Sequence, residues 1–413
     1  MKSPTPAWSR SRNPALNPSA GVAAPIMLKF VKSRTLPRGI SFASEVGDGI
    51  AIRPLGLLSG AAGFEAARRG LAQPLAGGRV LFAMCEVFIE QAGTVTHCIA
   101  PLTEVKDWGV REGGDLEREV HCALERITGS RLTFAGLVLD RPRIMGIVNV
   151  TPDSFHDGGR HASTDAAIIH GAGLIAAGAD AIDIGGESTR PGSEETPEEL
   201  EIERVLPVVR ALCGQGAVLS VDTRRTAVMR AALDAGVEVI NDITALGDDP
   251  DALRVAAEGR AHVILMHMQG RPRTMQRRPS YGHAPYEIWC FLRNRVAACV
   301  AANITTERIA VDPGIGFGKS DAHNLEILSS AAMLHGTGAT VMVGASRKSF
   351  IGRIFKDVTS EARLPGSLAA ATMAVTQGVQ LLRVHDVAET RQALAVVEGC
   401  LAGAPILGDR HGF

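Results

Sequence analysis

Carboxylates, carboxamides and cations recur in this chain at one kind of place, the polar end of a short apolar run. Asn149 ends the first run, Asp183 stands in the second with Glu187 to Arg190 just beyond it, and Asp222 ends the third. Asn241 and Asp242 follow the fourth, Met266 and His267 the fifth, Asp312 the sixth, Ser346 to Lys348 the seventh, and Arg383 and His385 the eighth. The set has two chemical halves. Asp222, Asp312 and Asn241 can hold N–H donors, whereas Arg190, Lys348, Arg383 and His385 suit an anion, Arg as a planar fork and Lys as a point charge. A ligand with an N–H-rich heterocycle at one end and an anion at the other satisfies both, at about 1.5–3 kcal/mol for each charge-assisted hydrogen bond.

Two loops invite other chemistry. The stretch Asp312–Ser320 (DPGIGFGKS) ends like a nucleotide-binding P-loop, but that pattern needs glycine where Pro313 stands; its glycines instead let backbone approach a flat ligand closely. The long polar loop from Asn149 to Gly159 reads as idle or as a lid, and its Asp153 and Asp157 either hold a phosphate-bound Mg²⁺ or cap turns. Ser346–Ser349 opens a helix, so backbone N–H groups there can receive a carboxylate or phosphate.

The elements that must position these groups follow from the spacing. The runs Ile144–Val150, Ala179–Ile184, Val218–Val221, Val237–Ile240, His262–Met266, Ile309–Val311, Thr340–Val343 and Gln380–Val384 are rich in Val, Ile and Leu. They do not alternate polar with apolar, which marks parallel strands buried on both faces. Helix-compatible stretches closed by glycine lie between most of them, such as Thr164–Ala177 before Gly178 and Ala227–Ala235 before Gly236. Eight βα units over residues 143–403 predict a (β/α)8 TIM barrel, whose strand ends form one rim where active sites sit. Ahead of it, residues 48–140 predict a small α+β module. Its strands are Ile50–Pro54, Val80–Ile89 and Thr94–Ile99, its helices Ala61–Leu71 and Asp115–Ile127. His97 and His121 are expected to stand alone there, in structural roles.

Residues 1–47 are expected to be a disordered basic tail. Residues 1–44 contain no Asp or Glu, as an organellar transit peptide would, but a plain tail or a start at Met27 is the preferred reading. With Lys+Arg at 43 against Asp+Glu at 44, no global basic field exists for nucleic acid. No long apolar run predicts a membrane span, and seven scattered cysteines predict neither disulfides nor zinc. A cytoplasmic protein is the expectation.

Eight segments carry a resemblance: Met145–Gly159 (MGIVNVTPDSFHDGG), Asp183–Gly192 (DIGGESTRPG), Ser220–Thr223 (SVDT), Ile240–Ile243 (INDI), Leu265–Gly270 (LMHMQG), Asp312–Lys319 (DPGIGFGK), Ser346–Ser349 (SRKS) and Arg383–Asp386 (RVHD). In order and spacing, from Arg143 to about Ala402, the chain resembles the dihydropteroate synthase family. The resemblance implies a transferase that joins 6-hydroxymethyl-7,8-dihydropterin diphosphate to 4-aminobenzoate, giving 7,8-dihydropteroate and diphosphate for folate synthesis, with Mg²⁺ as cofactor and a homodimer as the assembly. Carried onto this sequence, it implies that Asp222, Asn241, Asp312 and Lys348 hydrogen-bond the pterin, with Ile147, Ile243 and Met266 lining its pocket and Arg383 stacking on it. Asn149, Arg383 and His385 would hold diphosphate, and Asn149 would also reach the metal. Thr189, Arg190, Pro191, Phe317 and Ser346, with Phe155, would surround 4-aminobenzoate. Arg224 and Arg225 stand where many relatives have lysine, and His156 where a small residue is common. Two other readings compete: a methyltetrahydrofolate–corrinoid methyltransferase, which has no obvious use for the STRPG and SRKS elements, and a non-catalytic pterin-binding paralogue acting through residues 48–140.

Overall fold

The computed structural model describes residues 28–40, 49–151, 160–188, 195–356 and 358–403. Five strands come first, β1 (Lys29–Lys32), β2 (Gly49–Leu58), β3 (Gln73–Pro74), β4 (Leu81–Gln91) and β5 (Thr94–Pro101), in one sheet of order β1-β5-β4-β2 with β3 beside β4. The β4–β5 hairpin turns on Ala92 and Gly93, both at positive φ (47° and 77°), as a tight two-residue turn requires. Helices α1 (Gly60–Arg68), α2 (Leu102–Glu112) and α3 (Gly114–Thr128) complete this module. Side chains alternate across a strand, so the sheet has two apolar faces. Ile50, Ile52, Val87 and Ile89 pack with Trp108, Leu116 and Val120, while Ala51, Phe88 and Val95 pack on Tyr286, Trp289 and Met333 of the barrel. Sequence reading missed α2, although Leu102, Val105, Trp108 and Gly109 are buried at helical spacing.

Two expectations need correction. Within the presumed tail, residues 28–40 are part of the fold. The strand β1 pairs parallel with β5, Leu36 is buried, and the Trp108 indole N–H donates to Pro37 O at 2.7 Å. Residues 1–27 and 41–48 lie outside the described residues. Nor do His97 and His121 stand alone: His97 Nδ1 lies 2.8 Å from Glu86 Oε1 and its ring stacks on Phe88, while His121 Nε2 lies 3.2 Å from Glu125 Oε1 along α3.

A hairpin, β6 (Thr133–Phe134) and β7 (Leu137–Val138), leads into the barrel. Eight parallel strands close in a ring: β8 (Arg143–Asn149), β9 (Ala181–Gly185), β10 (Val218–Asp222), β11 (Val239–Asp242), β12 (His262–Met266), β13 (Ile309–Asp312), β14 (Thr340–Val343) and β15 (Leu381–Val384). The helices between and after them are α4 (Arg160–Ala176), α5 (Glu198–Leu212), α6 (Thr226–Asp234), α7 (Ala252–Glu258), α8 (Ala284–Ala301), α9 (Asp321–Ser329), α10 (Ser349–Ile354), α11 (Leu364–Thr376) and α12 (Val387–Ala402). The expected (β/α)8 barrel is therefore present. Gly178 and Gly236 sit at φ +93° and +102° after α4 and α6, a conformation that suits glycine alone. Outward residues such as Ile144, Val148, Ile182, Ile184 and Leu219 pack beneath the helices.

Inward residues form layers two apart along each strand. The lowest layer is Met145, Ala181, Val239, Ile264, Ala310, Met342 and Leu381, closed from below by Phe134 of the β6–β7 hairpin. Three module arginines fasten the 3-10 turn Ala331–Thr337 and the residue before it: Arg53 donates to Ser330 Oγ at 2.8 Å, Arg131 to His335 O at 2.9 Å and Arg126 to Gly336 O at 3.2 Å. Among the described residues no helix is long and apolar enough to cross a membrane. All seven cysteines are free thiols.

Candidate functional site

One layer above the apolar floor, the inward positions turn polar. Two residues on from Met145, Ala181, Val239, Ile264, Ala310 and Leu381 stand Ile147, Asp183, Asn241, Met266, Asp312 and Arg383, with Ser220 at the same level of β10. The period-two pattern that fills the floor thus delivers the chemistry to the mouth at the strands' C-terminal ends. A further step up brings Asn149, Gly185 and Asp222 to the rim. A Cβ on Gly185 would lie 3.6 Å from Asp222 Cβ and 3.8 Å from Asn149 Oδ1, so this glycine sits between the two side chains.

Asp183 is the hub. Fully buried, it accepts from Ser220 Oγ at 2.6 Å, Asn241 Nδ2 at 2.9 Å and Arg383 Nε at 2.6 Å. Arg383 also donates through Nη2 to Asp222 Oδ2 at 2.8 Å. A chain from Asn241 through Asp183 and Arg383 to Asp222 therefore crosses the mouth, and the two halves inferred from sequence interlock instead of facing each other. Burial raises the Asp222 pKa, with Arg383 pulling the other way. The next residue after Asn241 points elsewhere: Asp242 takes the Thr244 amide at 2.7 Å and the Leu246 amide at 3.0 Å, which caps a turn.

Asp312 lies across the mouth, its Oδ1 accepting the Gly314 amide at 2.8 Å. Burial raises its pKa, while that N–H bond and the charges of Lys348, Lys319 and Arg383 oppose the rise. Lys348 Nζ stands 4.2 Å from the Phe317 ring centroid, a cation–π contact. Withdrawal from solvent, then the nearby Arg383, push Lys348 down to about 8. Met266, Ile147 and Ile243 are buried apolar walls. His385 and Ser346 meet at the remaining edge, where Ser346 Oγ accepts the His385 amide at 3.2 Å and lies 3.1 Å from its Nδ1. Burial and Arg383 lower His385 to about 3. With the ring neutral, the serine hydroxyl donates to Nδ1 and Nε2–H remains a donor.

The structure therefore gathers Asn149, Asp222, Asn241, Asp312, Lys348, Arg383, His385, Ile147, Ile243, Met266, Phe317 and Ser346 around one mouth. Phe155, Thr189, Arg190 and Pro191 lie outside the described residues, as do Asp153, Asp157 and His156. Arg224 and Arg225 are held in ion pairs: Arg225 with Glu187 at 2.9 Å and with Glu201, and Arg224 with Asp248 at 3.0 Å and Glu195 at 3.1 Å. Sequence reading missed a role for Asp183 and for Lys319. Lys319, 1% exposed, donates to Phe317 O at 2.8 Å and His267 O at 3.2 Å, and lies 3.1 Å from His267 Nδ1. Its signal was a lysine at the end of a glycine loop, which the failed P-loop pattern had drawn attention to and then dismissed.

The site's relatives are known. Residues 145–385 match the pterin binding enzyme family. Dihydropteroate synthase of Escherichia coli (strain K12) is 47% identical over 267 residues, 64% of this chain and 94% of the relative. The structure of Xanthomonas albilineans dihydropteroate synthase with 4-aminobenzoic acid superposes with a TM-score of 0.62 at 48% identity, over 65% of this chain and 97% of that one. The same enzyme in complex with 7,8-dihydropteroate gives a TM-score of 0.59 at 45% identity, over 64% and 96%. With the barrel, its polar mouth and these matches in agreement, the chain is an enzyme that belongs to the pterin binding enzyme family, among the dihydropteroate synthases.

Proposed function

We propose that this enzyme condenses 6-hydroxymethyl-7,8-dihydropterin diphosphate with 4-aminobenzoate, an alkyl transfer that yields 7,8-dihydropteroate and diphosphate. The observation that carries the reading is the polar layer across the barrel mouth: the buried carboxylates Asp183 and Asp312 and the partly buried Asp222, in the field of Arg383 and Lys348, above an apolar floor. Asp222 and Asp312 accept pterin N–H groups, Asn241 and Lys348 complete the ring's hydrogen bonds, and Ile147, Ile243 and Met266 exclude water from its faces. Arg383 stacks on the pterin and, with Asn149 and His385 Nε2–H, holds the diphosphate. In the reaction the C–O bond to diphosphate breaks, the amine nitrogen of 4-aminobenzoate bonds to the pterin methylene, and the amine proton leaves to water. The aspartates' field stabilises positive charge developing on that methylene, while the cations stabilise the leaving group. Thr189, Arg190, Pro191, Phe155, Phe317 and Ser346 are proposed to enclose 4-aminobenzoate.

The donors suit Mg²⁺, which prefers a few hard oxygens, its own waters and substrate phosphates to a cage of protein ligands. Among the described residues no three His, Cys, Asp or Glu side chains form such a cage. The Asn149 side-chain oxygen at the rim is the protein group that would hold the ion, which when bound would neutralise diphosphate charge. A homodimer is proposed through the barrel helices, where α9 and α11 pack together and leave Leu325 and Met373 exposed; light scattering tests it. A cytoplasmic location is likewise a proposal.

Diphosphate release that requires both substrates is the expected result, and no turnover by folded protein overturns the reading. Asp312→Ala is expected to abolish measurable pterin binding in calorimetry while the far-UV spectrum stays that of the wild type.

A further inference from the structure

The N-terminal module lies outside the family match, yet it touches the loop that borders the site. Phe30 on β1 presses against Gly282, where a Cβ would stand 2.9 Å from the Phe30 ring. Phe30 also packs against His283 at 5.5 Å between ring centroids and edge-on to Tyr286 at 5.7 Å, and Phe88 meets His283 and Tyr286 at 5.1 and 5.2 Å. His283 is the N-cap of α8, accepting the Tyr286 amide at 3.3 Å, and Glu287 Oε1 takes the amides of Gly282 and His283 at 2.6 and 2.8 Å. The base of the loop from His267 to His283 is therefore clamped between the module and the first turn of α8.

The upper part of that loop holds the 4-aminobenzoate side of the mouth. Tyr281 donates its hydroxyl to Gly318 O at 2.9 Å, and Gln276 Nε2 donates to Gly316 O at 2.5 Å. The two loops are pressed together so closely that a Cβ on Gly318 would lie 2.4 Å from Gln269 O, and one on Gly314 2.1 Å from His267 O. Lys319 bridges both through Phe317 O and His267 O, and the Phe317 ring carries the Lys348 contact. One unbroken series of contacts thus runs from Phe30 through Gly282 and Tyr281 to Gly318 and Phe317.

We infer that Phe30 and Tyr281 are positioning residues for 4-aminobenzoate: the module fixes the His267–His283 loop, and the loop fixes Phe317. This rests on the dihydropteroate synthase reading above. Displacing Phe317 loosens capture of the second substrate and leaves the pterin contacts of Asp222 and Asp312 in place, so the effect falls on KM for 4-aminobenzoate.

The test is diphosphate release by the full-length protein as 4-aminobenzoate is varied at saturating dihydropterin diphosphate. Tyr281→Phe, which removes only the hydroxyl on Gly318, and Phe30→Ala are each expected to raise that KM about 3- to 10-fold with kcat within about twofold of wild type. The double variant is expected to show less than the product of the single effects, because both break one series of contacts. Phe30→Leu, which keeps an apolar contact with Gly282, is expected to recover most of the affinity; if Phe30→Ala does not fold, the KM of Tyr281→Phe alone decides the matter. Val110→Ala, on the exposed side of α2, is expected to change neither constant. A folded Phe30→Ala or Tyr281→Phe variant with wild-type KM, or single effects that multiply in full, overturns the inference. Wild-type protein that releases no diphosphate instead refutes the functional reading, and this inference with it.

Discussion

The barrel mouth and the seam between module and barrel are built from the same ingredients, buried arginines, carboxylates and histidines, and they use them differently. At the seam the arginines act as fasteners. Arg126 and Arg131 donate to carbonyls at the end of a 3-10 turn, and although burial lowers Arg131 to about 10 it stays charged at neutral pH. At the mouth, burial moves ionisable groups toward neutrality from both sides, Asp222 and Asp312 upward and Lys348 downward. Buried charge alone therefore does not mark a site. Convergence of opposed, shifted groups on one open end does.

The largest way to break this contrast is Arg383→Met. It leaves Asp183 fully buried without its charge partner, which should cost about 3–5 kcal/mol of stability. It also removes the donor proposed for the leaving group, for an expected fall in kcat of about 10²–10³-fold. Thermal melting and diphosphate release read the two effects separately. Arg131→Ala at the seam is expected to cost about 1–3 kcal/mol by removing the guanidinium from His335 O, which keeps only the Gly338 amide, with kcat within about twofold. A large loss of kcat there would erase the distinction between fastener and site.

The smallest effect is pH dependence. Because burial raises Asp222 above the ordinary carboxylate value near 4, its contribution to stability is fully present below that value and is lost as pH rises through the raised one. Pterin affinity should move oppositely, falling with acidification as the carboxylates lose their acceptor form. The difference in melting temperature and in pterin Kd between wild type and Asp222→Asn, followed from pH 8 to pH 5, isolates this group from carboxylates such as Asp180 and Asp321, whose pKa values are lowered.

What was legible in the sequence was whatever is local. Eight apolar runs gave the barrel, and the residue ending each run gave the rim, since strand direction and side-chain alternation need only neighbouring positions. Asp183 escaped assignment because its meaning depends on Arg383, 200 residues away. The seam escaped for the same reason: Arg53 and Ser330 are 277 positions apart. His97 needed the register of β4 and β5 before Glu86 could be seen beside it. β1 was hidden by composition, its two lysines and basic surroundings masking Phe30 and Val31.

Phe134 bears on how this protein is made. Its hairpin stands just before β8 and fills the lower opening of the ring. Synthesis runs from the N-terminus and early segments fold first, so the stopper emerges from the ribosome before any of the eight strands that will surround it. The barrel then closes around a floor already laid, and a chain cut at residue 140 starts without one.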